Sequence, residues 1–433
     1  SRTRSGPSGS TSDHPMEILV LDTIHGGADL ATELAGAGHR VDMVDVYRGE
    51  QGITAEEAVK RHYDYVVAPV HLDPDHPLLR RVQARRLTHH DGVRMILSAR
   101  PPAHILVEIT GARGKTTTAH AIAHVLEKRD RYGRTGRFPG ILHTSDGTFR
   151  YPEGELLWKK SITPASVLAA VHEAEKIKGW LVAEESLGVS GEGWVAVLTS
   201  PDDYRIAAGK RSALSSKLDS LAAAQTVVLP PGLPLLRRLF FEHPRAFWAG
   251  ECVHWEGDRC TYDCNHIAGE FRNALGDLPG YRLPLTMAAA ALCAIGVDPG
   301  DLASFPAVVG RLSIETRDEV LILDDSNSGT SAETARDAVS YARTISAKPW
   351  ITLVIGEEDR AVCEGFPPEK IASAIGIIRP DCLILVGDRG RAVRPVGLGR
   401  RVAYADTLEA ARALALRETP AGGAVVLAVK TWR

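Results

Sequence analysis

Hydrophobic runs that end in glycine or polar residues recur along the chain and predict repeated α/β units. The first run, EILVLD, is followed by the glycine-containing stretch TIHGGADLATELAGAGH and then by RVDMVDVY. An apolar strand, a glycine turn, a helix and a second strand form a βαβ start. We therefore predict a Rossmann-like first domain that closes near the segment ARPPAH at residues 99–104.

Two further sets of strands follow. HILVEIT predicts a buried strand that leads into a helix from Thr116 to about Lys128, and GWLVAEESLG and VAVLTSPDDY each predict a strand that ends in polar residues. Open α/β sheets place their chemistry at such strand ends. After GRLSIE, the segments EVLILDDSNSG, WITLVIGEE, DCLILVGDRG and AVVLAVKTWR predict parallel-type strands separated by helices such as AETARDAVSYARTI. We predict these parts: a leader at 1–15, an N-terminal substrate-binding domain at 16–101, a central ATPase domain at 102–308, and a C-terminal Rossmann-like domain at 309–433.

Composition is that of a multidomain globular protein. The chain has 433 residues, of which 44% are hydrophobic and 24% charged, and its formal net charge is −3. The basic residues are scattered, so neither nucleic acid nor a membrane surface is an expected partner. No apolar run approaches the roughly 20 residues of a membrane span. Six cysteines without a repeated paired spacing fit a reducing cytoplasm. We interpret the Ser/Gly/Pro/Arg-rich start before Met16 as an added remnant or a disordered leader.

A phosphate-binding loop is predicted in the segment EITGARGKTTT. Such a loop needs inward backbone N–H groups, a lysine for the terminal phosphates and a hydroxyl for magnesium, which Gly111, Gly114, Lys115 and Thr116 can supply. The spacing differs from the common GxxxxGK[ST], because Ile109 stands at the first glycine position. A helix N-cap that contains a lysine is the alternative. The residues that we assign to ATP in this loop are Gly111, Ala112, Arg113, Gly114, Lys115, Thr116 and Thr117.

The shorter loop form resembles the TGxxGKTTT loop of the Mur ligase superfamily, and other segments follow in that family's order. SITPASVL is similar to its Thr-Pro segment, and VAEESLG to the segment whose glutamate binds magnesium, which implies that role for Glu184. LTSPDDY departs from the family, since Ser200 replaces an asparagine and no histidine follows; a second-metal role of that histidine is thereby in doubt. The pair Gly310-Arg311, the segment LDDSNSGTS and the terminal VLAVKTWR resemble the hinge arginine, the ribose-binding aspartate segment and the final strand. The resemblance implies an α/β fold with three Mur ligase-like domains.

Further segments of the sequence resemble one branch of that superfamily. LDTIHGG, VDVYR, APVHLDPDHPLL, THHDGVR, LHTSDGTFRYPEG, ESLGVSG, AAGKRSA and VKTWR together resemble the coenzyme F430 synthetases of methanogenic archaea, from about residue 18 to the C-terminus. The resemblance implies a cytoplasmic ligase, monomer or homodimer, that uses ATP and Mg²⁺. It would activate a propionate carboxylate of seco-F430 acid, a nickel tetrapyrrole, and close the carbocyclic ring.

Roles for individual residues follow from the resemblance and from phosphoryl-transfer chemistry. We assign Lys115 to the β- and γ-phosphates, and Thr116 and Glu184 to Mg²⁺, which favours hard oxygen ligands. Glu185 is the neighbour with which Glu184 could be confused, but strand alternation lets only one of them face the nucleotide. Lys217 stands where many Mur ligases carry a carbamylated lysine, with Lys210 as the competing choice and a surface lysine as the ordinary alternative.

The hinge and the third domain supply two more assignments. Arg311 is expected to reach the transferred phosphate, and Asp325 to accept the ribose hydroxyls of ATP. Asp324 is the alternative for the second role.

Two other functions remain open: a Mur-type amide ligase that joins an amino acid to a carboxylate, and a nucleotide-binding regulatory or scaffold protein with a degenerate site. The joint presence of Lys115, Thr116 and Glu184 argues against the latter.

Histidines in the first domain are candidate donors for the carboxylates of a tetrapyrrole. The substrate-binding candidates are His25, Gly26, Gly27, His71, His89 and His90, with Arg85, Arg86 and Arg94 nearby. The Gly26-Gly27 turn lacks the full dinucleotide fingerprint, which argues against a nucleotide cofactor there. A helix N-terminus after a strand favours an anionic group. For each histidine alone, a packing or surface role is the ordinary alternative.

The segment CVHWEGDRCTYDCNH invites a zinc hypothesis. It contains Cys252, His254, Cys260, Cys264 and His266. The spacing matches no standard zinc module, and free cysteine is often a small buried hydrophobic residue. We therefore favour packing over a metal.

Overall fold

The fold is built on three large sheets, which we describe from a computed structural model. The described residues are 14–100, 105–130, 136–232, 234–308, 311–327, 329–358, 365–393 and 401–431. The predicted leader lies almost wholly outside them, as does Gly310 of the predicted hinge. The chain forms two compact units, the first comprising 1–253, 262–269 and 287–299, and the second comprising 254–261, 270–286 and 300–433. The predicted domain boundaries stay predictions.

A parallel four-stranded sheet of order β2-β1-β3-β4 opens the first unit. Its strands are β1 Glu17–Leu21, β2 Arg40–Val44, β3 Tyr65–Ala68 and β4 Arg85–Thr88, and its helices are α1 Gly27–Gly36, α2 Ala55–Lys60, α3 Pro77–Arg81 and α4 His89–Ala99. Strand β1 is apolar because it is covered on both faces. Ile18 and Val20 pack into one core cluster, while Leu19 and Leu21 pack into another.

An eight-stranded sheet of order β14-β13-β10-β5-β9-β6-β7-β8 completes the first unit. Its strands are β5 Leu106–Thr110, β6 Gly140–Thr144, β7 Gly147–Tyr151, β8 Glu155–Trp158, β9 Trp180–Glu184, β10 Val195–Leu198, β13 Val227–Leu229 and β14 Ala246–Trp248. Its helices are α5 Lys115–Leu126, α6 Ser166–Ile177, α7 Ala213–Leu221, α8 Pro234–Phe240 and α9 Ala249–Cys252. The strands of the first two sheets share one core cluster, in which Val20 and Val67 lie with Leu106 and Leu181. This shared core explains why two sheets form one unit.

The second unit contains a six-stranded sheet of order β18-β19-β23-β20-β21-β22. Its strands are β18 Ser313–Arg317, β19 Val320–Asp324, β20 Ile351–Glu357, β21 Cys382–Val386, β22 Val402–Ala405 and β23 Ala424–Lys430. Its helices are α11 Ala332–Ile345, α12 Pro368–Ile378, α13 Gly387–Arg391 and α14 Leu408–Glu418. All pairings are parallel except that of β18 with β19. The apolar runs of the last third of the sequence are therefore strands, as their composition predicts.

Smaller elements complete the chain. They are the pair β11 Arg205–Ile206 and β12 Arg211–Ser212, the three-stranded sheet β15 Val253–Glu256, β16 Arg259–Cys264 and β17 Ile267–Arg272, helix α10 Pro279–Ala294, and two 3₁₀ helices at Ala274–Asp277 and Pro299–Ser304. The hydrophobic pattern did not predict these short strands. In the part of the chain that the structure describes, no helix is both long enough and apolar enough to span a bilayer.

Candidate functional site

The predicted phosphate loop connects β5 to α5 and turns on two glycines. Gly111 has φ +150° and Gly114 has φ +81°, which other residues rarely adopt. A Cβ at Gly111 would also lie 2.1 Å from the hydroxyl of Thr199. Because α5 starts directly after Gly114, the loop presents a helix N-terminus, where backbone N–H groups and the helix dipole favour phosphate.

Ser200, at which LTSPDDY departs from the family pattern, contacts the phosphate loop. Its hydroxyl accepts hydrogen bonds from the backbone amides of Ala112 and Arg113, each at 3.2 Å. The Arg113 side chain forms an ion pair with Asp202 at 2.8 Å. The segment after β10 therefore holds the phosphate loop in place through a serine and an aspartate.

Thr116, Glu184 and Lys115 meet at the ends of neighbouring strands. Thr116 Oγ1 donates a hydrogen bond to Glu184 Oε2 at 2.9 Å, and Lys115 Nζ lies 3.5 Å from Glu184 Oε1. Ser145, which the sequence did not single out, donates its backbone amide to Glu184 Oε2 at 3.1 Å, and its hydroxyl lies 3.2 Å from that of Thr116. Ser145 follows β6, the strand next to β9. One carboxylate and two hydroxyls are hard oxygen donors that suit Mg²⁺.

Glu185 has quite different surroundings from Glu184. Its side chain is fully buried, and neither carboxyl oxygen has a hydrogen-bond partner. Burial, together with the nearby charge of Glu108, raises the pKa of Glu185 well above its usual value. Glu108 itself accepts backbone N–H bonds from Ser190, Gly191 and Gly193 at 2.8 to 3.0 Å. Burial therefore favours the protonated form of Glu185, whereas Glu184 accepts hydrogen bonds from Thr116 and Ser145.

The two candidate lysines lie in opposite environments. Lys217 is fully buried on α7, and its Nζ lies 4.6 Å from the centroid of the Tyr204 ring. Lys210 is exposed and bonded to Asp73 and Asp75, each at 2.7 Å. A lysine held in two surface ion pairs is poorly suited to carbamylation, which needs a neutral amine. The burial of Lys217 supports the first choice, which stays a prediction.

Arg311 and Asp325 lie together in the second unit. Arg311 Nη1 donates to Asn327 Oδ1 at 2.8 Å, and Asn327 Nδ2 lies 3.4 Å from Asp325 Oδ1. Burial raises the pKa of Asp325 to about 6, although a hydrogen bond from Thr334 and the charge of Arg311 oppose that shift. Asp324 instead accepts the backbone N–H of Ser326 at 3.0 Å and is buried. This local difference favours Asp325 over Asp324 for contact with a ligand.

The histidine candidates divide into two pairs. His25, after β1, and His71, after β3, pack edge to face with ring centroids 4.6 Å apart beside the buried carboxylate of Asp22. His89 and His90 are buried instead, and their Nε2 atoms bond to the carbonyl oxygens of Leu21 and Ser186.

Burial lowers the pKa of His89 and of His90 to about 4, so both rings are neutral. Their hydrogen bonds connect the start of α4 to the chain at Leu21 and Ser186. Arg94 likewise bonds internally, to the carbonyl oxygen of Ser190 at 2.6 Å.

Both candidate glycines are required by close packing. A Cβ at Gly26 would lie 2.6 Å from Thr163 Oγ1, and a Cβ at Gly27 would lie 1.5 Å from the carbonyl oxygen of Asp22. Thr163 belongs to the Thr-Pro segment before α6. The turn that carries His25 therefore packs against the segment that precedes helix α6 of the eight-stranded sheet.

The cysteine-rich segment does not gather a metal site. Cys252 and Cys264 form a disulfide, and Cys260 is buried and not part of a disulfide. Within the described ranges, the single group of three or more ligating side chains comprises Asp22, His25 and His71. The preference for packing over zinc in this segment stays a prediction, while the disulfide differs from the expectation of reduced cysteines.

Comparisons with known proteins identify similar chains. The family described as coenzyme F430 synthetase CfbE, C-terminal domain, matches residues 314–431. A curated protein named coenzyme F(430) synthetase from Methanosarcina acetivorans is 30% identical over 441 residues, which cover 87% of this chain and 91% of that protein.

Solved structures with the same fold are more distant in sequence. The bifunctional folylpolyglutamate synthase/dihydrofolate synthase of Yersinia pestis, complexed with AMPPNP and Mn ion, has a TM-score of 0.55 and 14% identity, covering 79% of this chain and 90% of that chain. MurF of Acinetobacter baumannii has a TM-score of 0.54 and 13% identity, covering 88% and 89%. These likenesses confirm the predicted three-domain Mur ligase-like α/β fold.

Proposed function

The chain belongs to the coenzyme F430 synthetase family and is an ATP-dependent ligase, and from this we propose that it activates a propionate of seco-F430 acid and closes the carbocyclic ring. The observation that carries the activation step is the meeting of Lys115, Thr116 and Glu184 at the N-terminus of α5. A carboxylate is a poor electrophile, and transfer of the γ-phosphoryl group from ATP to it gives an acyl phosphate with a good leaving group.

Mg²⁺ fits the oxygen donors at the end of β9. Thr116 and Glu184 would hold it, with Ser145 close enough to add a hydroxyl or to orient a bound water. The ion would neutralise charge on the phosphates and so help a loose phosphoryl-transfer transition state. Lys115, which is mostly buried, would move from Glu184 towards the β- and γ-phosphates when nucleotide binds.

The remaining assignments also stand as parts of this proposal. The loop from Gly111 to Thr117 wraps the phosphates, Lys217 is the carbamylation candidate, Arg311 contacts the transferred phosphoryl group, and Asp325 accepts the ribose hydroxyls. The local arrangement of Arg311 with Asn327 supports a preorganised guanidinium, since a fixed side chain loses less entropy on binding.

The turn at His25-Gly26-Gly27 and the loop at His71 are proposed to receive the acidic substrate. Both histidine side chains are about 30% exposed, so their rings can reach a ligand. The proposed nucleophile is an enamine-like carbon of the macrocycle, which attacks the acyl phosphate and expels phosphate. The new carbon–carbon bond leaves a ketone, and the carbon loses its proton to solvent. No second substrate is needed.

The decisive experiment is incubation of the protein with ATP, Mg²⁺ and seco-F430 acid. We expect ADP, phosphate and a product lighter than the substrate by one water, followed by mass and absorbance. The Lys115→Ala protein is the matched control. The alternative, a Mur-type amide ligase, requires an added amine for ADP release, so turnover that appears only with an amino acid would replace the ring-closing proposal.

A further inference from the structure

The loops after β1 and β3 lie at a position that open α/β sheets use for binding ligands. The strand order β2-β1-β3-β4 reverses direction at β1, because the chain leaves β1 towards β2 and then returns across it to β3. Ligands bind at such switch points, outside the carboxyl ends of the two strands. His25 comes from the loop after β1, and His71 comes from the loop after β3. The two imidazoles therefore meet where this sheet opens.

A buried carboxylate lies beneath them. Asp22 is fully buried and has φ +76°, and its Oδ1 accepts the backbone N–H groups of Ile24 at 2.8 Å and His25 at 3.2 Å. These bonds fix the carboxylate and leave Oδ2 directed at the two rings. Oδ2 lies 2.6 Å from His25 Nδ1 and 3.6 Å from His71 Nε2.

Asp22 is close enough to form a hydrogen bond with the ring of His25 but not with that of His71. The Nε2 atom of His71 is buried without a hydrogen-bond partner, and 3.6 Å is too long for one. An unpaired buried ring nitrogen that faces a carboxylate oxygen is costly unless something else is bound between them. Tyr47 stacks on His71 with ring centroids 6.3 Å apart.

We propose that Asp22, His25 and His71 together bind one divalent transition-metal ion, such as Zn²⁺, Co²⁺ or Ni²⁺. One ligand atom from each of the three residues lies within 4.8 Å of the others. In a tetrahedral site with bonds of 2.0–2.2 Å, ligand atoms are about 3.3 to 3.6 Å apart. The 3.6 Å separation of His71 and Asp22 already fits, and the 2.6 Å pair widens by roughly 0.7 Å when an ion replaces the shared proton.

The ligand set selects the class of metal. Imidazole suits Zn²⁺, Cu²⁺ and Ni²⁺, whereas Mg²⁺ prefers an all-oxygen shell, as at Thr116 and Glu184. Three protein ligands leave a position for water or for an oxygen of a bound acid, and the partial exposure of both rings makes that position reachable. This site is separate from the magnesium site and does not depend on the proposed ring closure.

The test is a titration of chelator-treated full-length protein with Co²⁺, read by its visible absorption, and with Zn²⁺, read by calorimetry. We expect one Co²⁺ per chain with the intense bands of a low-symmetry nitrogen-ligated site. His71→Ala and Asp22→Asn should each weaken binding by about tenfold or more, since even outer-shell changes at metal sites cost 10–100-fold. A large excess of Mg²⁺ should not compete.

Two controls separate this site from other histidines and from the nucleotide site. His172 is half exposed and pairs with Glu33 on the surface, so His172→Ala should bind Co²⁺ as the unmodified protein does. Glu184→Gln should also leave Co²⁺ binding unchanged. His71→Gln, which keeps a polar side chain, serves if His71→Ala fails to fold by circular dichroism. Spectra of the free aquo ion alone, or equal affinity in the folded His71 variant, would overturn the proposal.

Discussion

Thr116 Oγ1 donates a hydrogen bond to Glu184 Oε2 at 2.9 Å, joining the first turn of α5 to the end of β9. The bond links two segments 68 residues apart in sequence and places a hydroxyl against a carboxylate. Such preorganisation lowers the reorganisation needed when a magnesium–nucleotide complex enters. Residues around this bond are therefore expected to affect turnover more than folding.

Lys115→Ala should abolish turnover while the protein stays folded. In the proposed mechanism its ammonium neutralises charge that grows in the transition state, and Lys115 stands at the first position of α5, outside the hydrophobic clusters. We expect a loss of about 10²-fold or more in kcat. ADP release measures the effect, and thermal unfolding reports the fold. Near-normal activity in a folded variant would remove the loop lysine from the mechanism.

Glu184→Gln and Glu185→Gln form a matched pair of isosteric changes on adjacent residues. Glu184 contacts Thr116, Lys115 and Ser145, so its amide variant should require a much higher Mg²⁺ concentration for half-maximal activity. Burial favours the protonated form of Glu185, so its amide variant should change that concentration little. Activity measured against Mg²⁺ at saturating ATP distinguishes them. Equal effects would show that the assignment of the metal ligand is wrong.

Glu185 should also make stability depend on pH. The folded pKa of Glu185 lies well above its usual value, so the folded state keeps a proton that the unfolded chain releases above about pH 4.5. The folded state then binds more protons, and the free energy of unfolding falls as pH rises from that point towards the folded pKa.

Glu185→Gln removes this contribution, so its stability relative to the unmodified protein should rise with pH, by up to about 1.4 kcal/mol per pH unit. Urea unfolding of both proteins between pH 5 and 8 gives the difference in their free energies of unfolding. The pH dependence that other titrating groups contribute is the same in both proteins and cancels in this difference. A constant difference across this range would mean that Glu185 is ionised in the folded protein.

Gly27→Ala should destabilise the protein, because the new Cβ would lie 1.5 Å from the backbone carbonyl oxygen of Asp22. Backbone must move to relieve that clash, and we expect a cost of about 2 kcal/mol or more. Gly36, at the other end of α1, meets nothing within 4 Å of the same Cβ. Gly36→Ala should therefore be neutral or stabilise by about 0.5–1 kcal/mol. Urea midpoints of the two variants test the comparison, and equal values would contradict it.

The sequence predicted more of the proposed phosphate site than of the group formed by Asp22, His25 and His71. An apolar run, two glycines and a Lys-Thr pair define a strand, a turn and a helix N-terminus locally, so the loop and the start of α5 could be predicted from a dozen residues. Ser145 could not, because its position depends on β6 lying beside β9, which short-range patterns do not encode.

The pairing of His25 with His71 depends in the same way on β3 lying beside β1. Each histidine was a candidate by residue type, but Asp22 was not, since a polar residue at a strand end is common. The burial of His89 and His90 was also hidden from the sequence. Both begin α4, and the sequence left packing and surface roles open for them, because their burial depends on how neighbouring segments pack.

Asp325 leads to a prediction for the pH dependence of ATP use. Burial raises its pKa to about 6, so near pH 7 it is mostly ionised and below pH 6 mostly protonated. A carboxylate accepts ribose hydroxyl protons well, whereas a protonated carboxyl accepts them poorly. The KM for ATP should therefore rise as pH falls through about 6.

Asp325→Asn should raise the KM for ATP about fivefold to tenfold at pH 7.5, because a neutral amide oxygen replaces a charged acceptor, and should flatten the profile near pH 6. Asp324→Asn is the neighbouring control. Asp324 accepts the backbone N–H of Ser326, so its variant should affect stability more than the KM. Initial rates at varied ATP concentrations, recorded between pH 5.5 and 8, give the KM of each variant for ATP. If the Asp325 variant keeps the normal KM and the normal profile, the ribose contact belongs to another residue, and the raised pKa of Asp325 reflects burial alone.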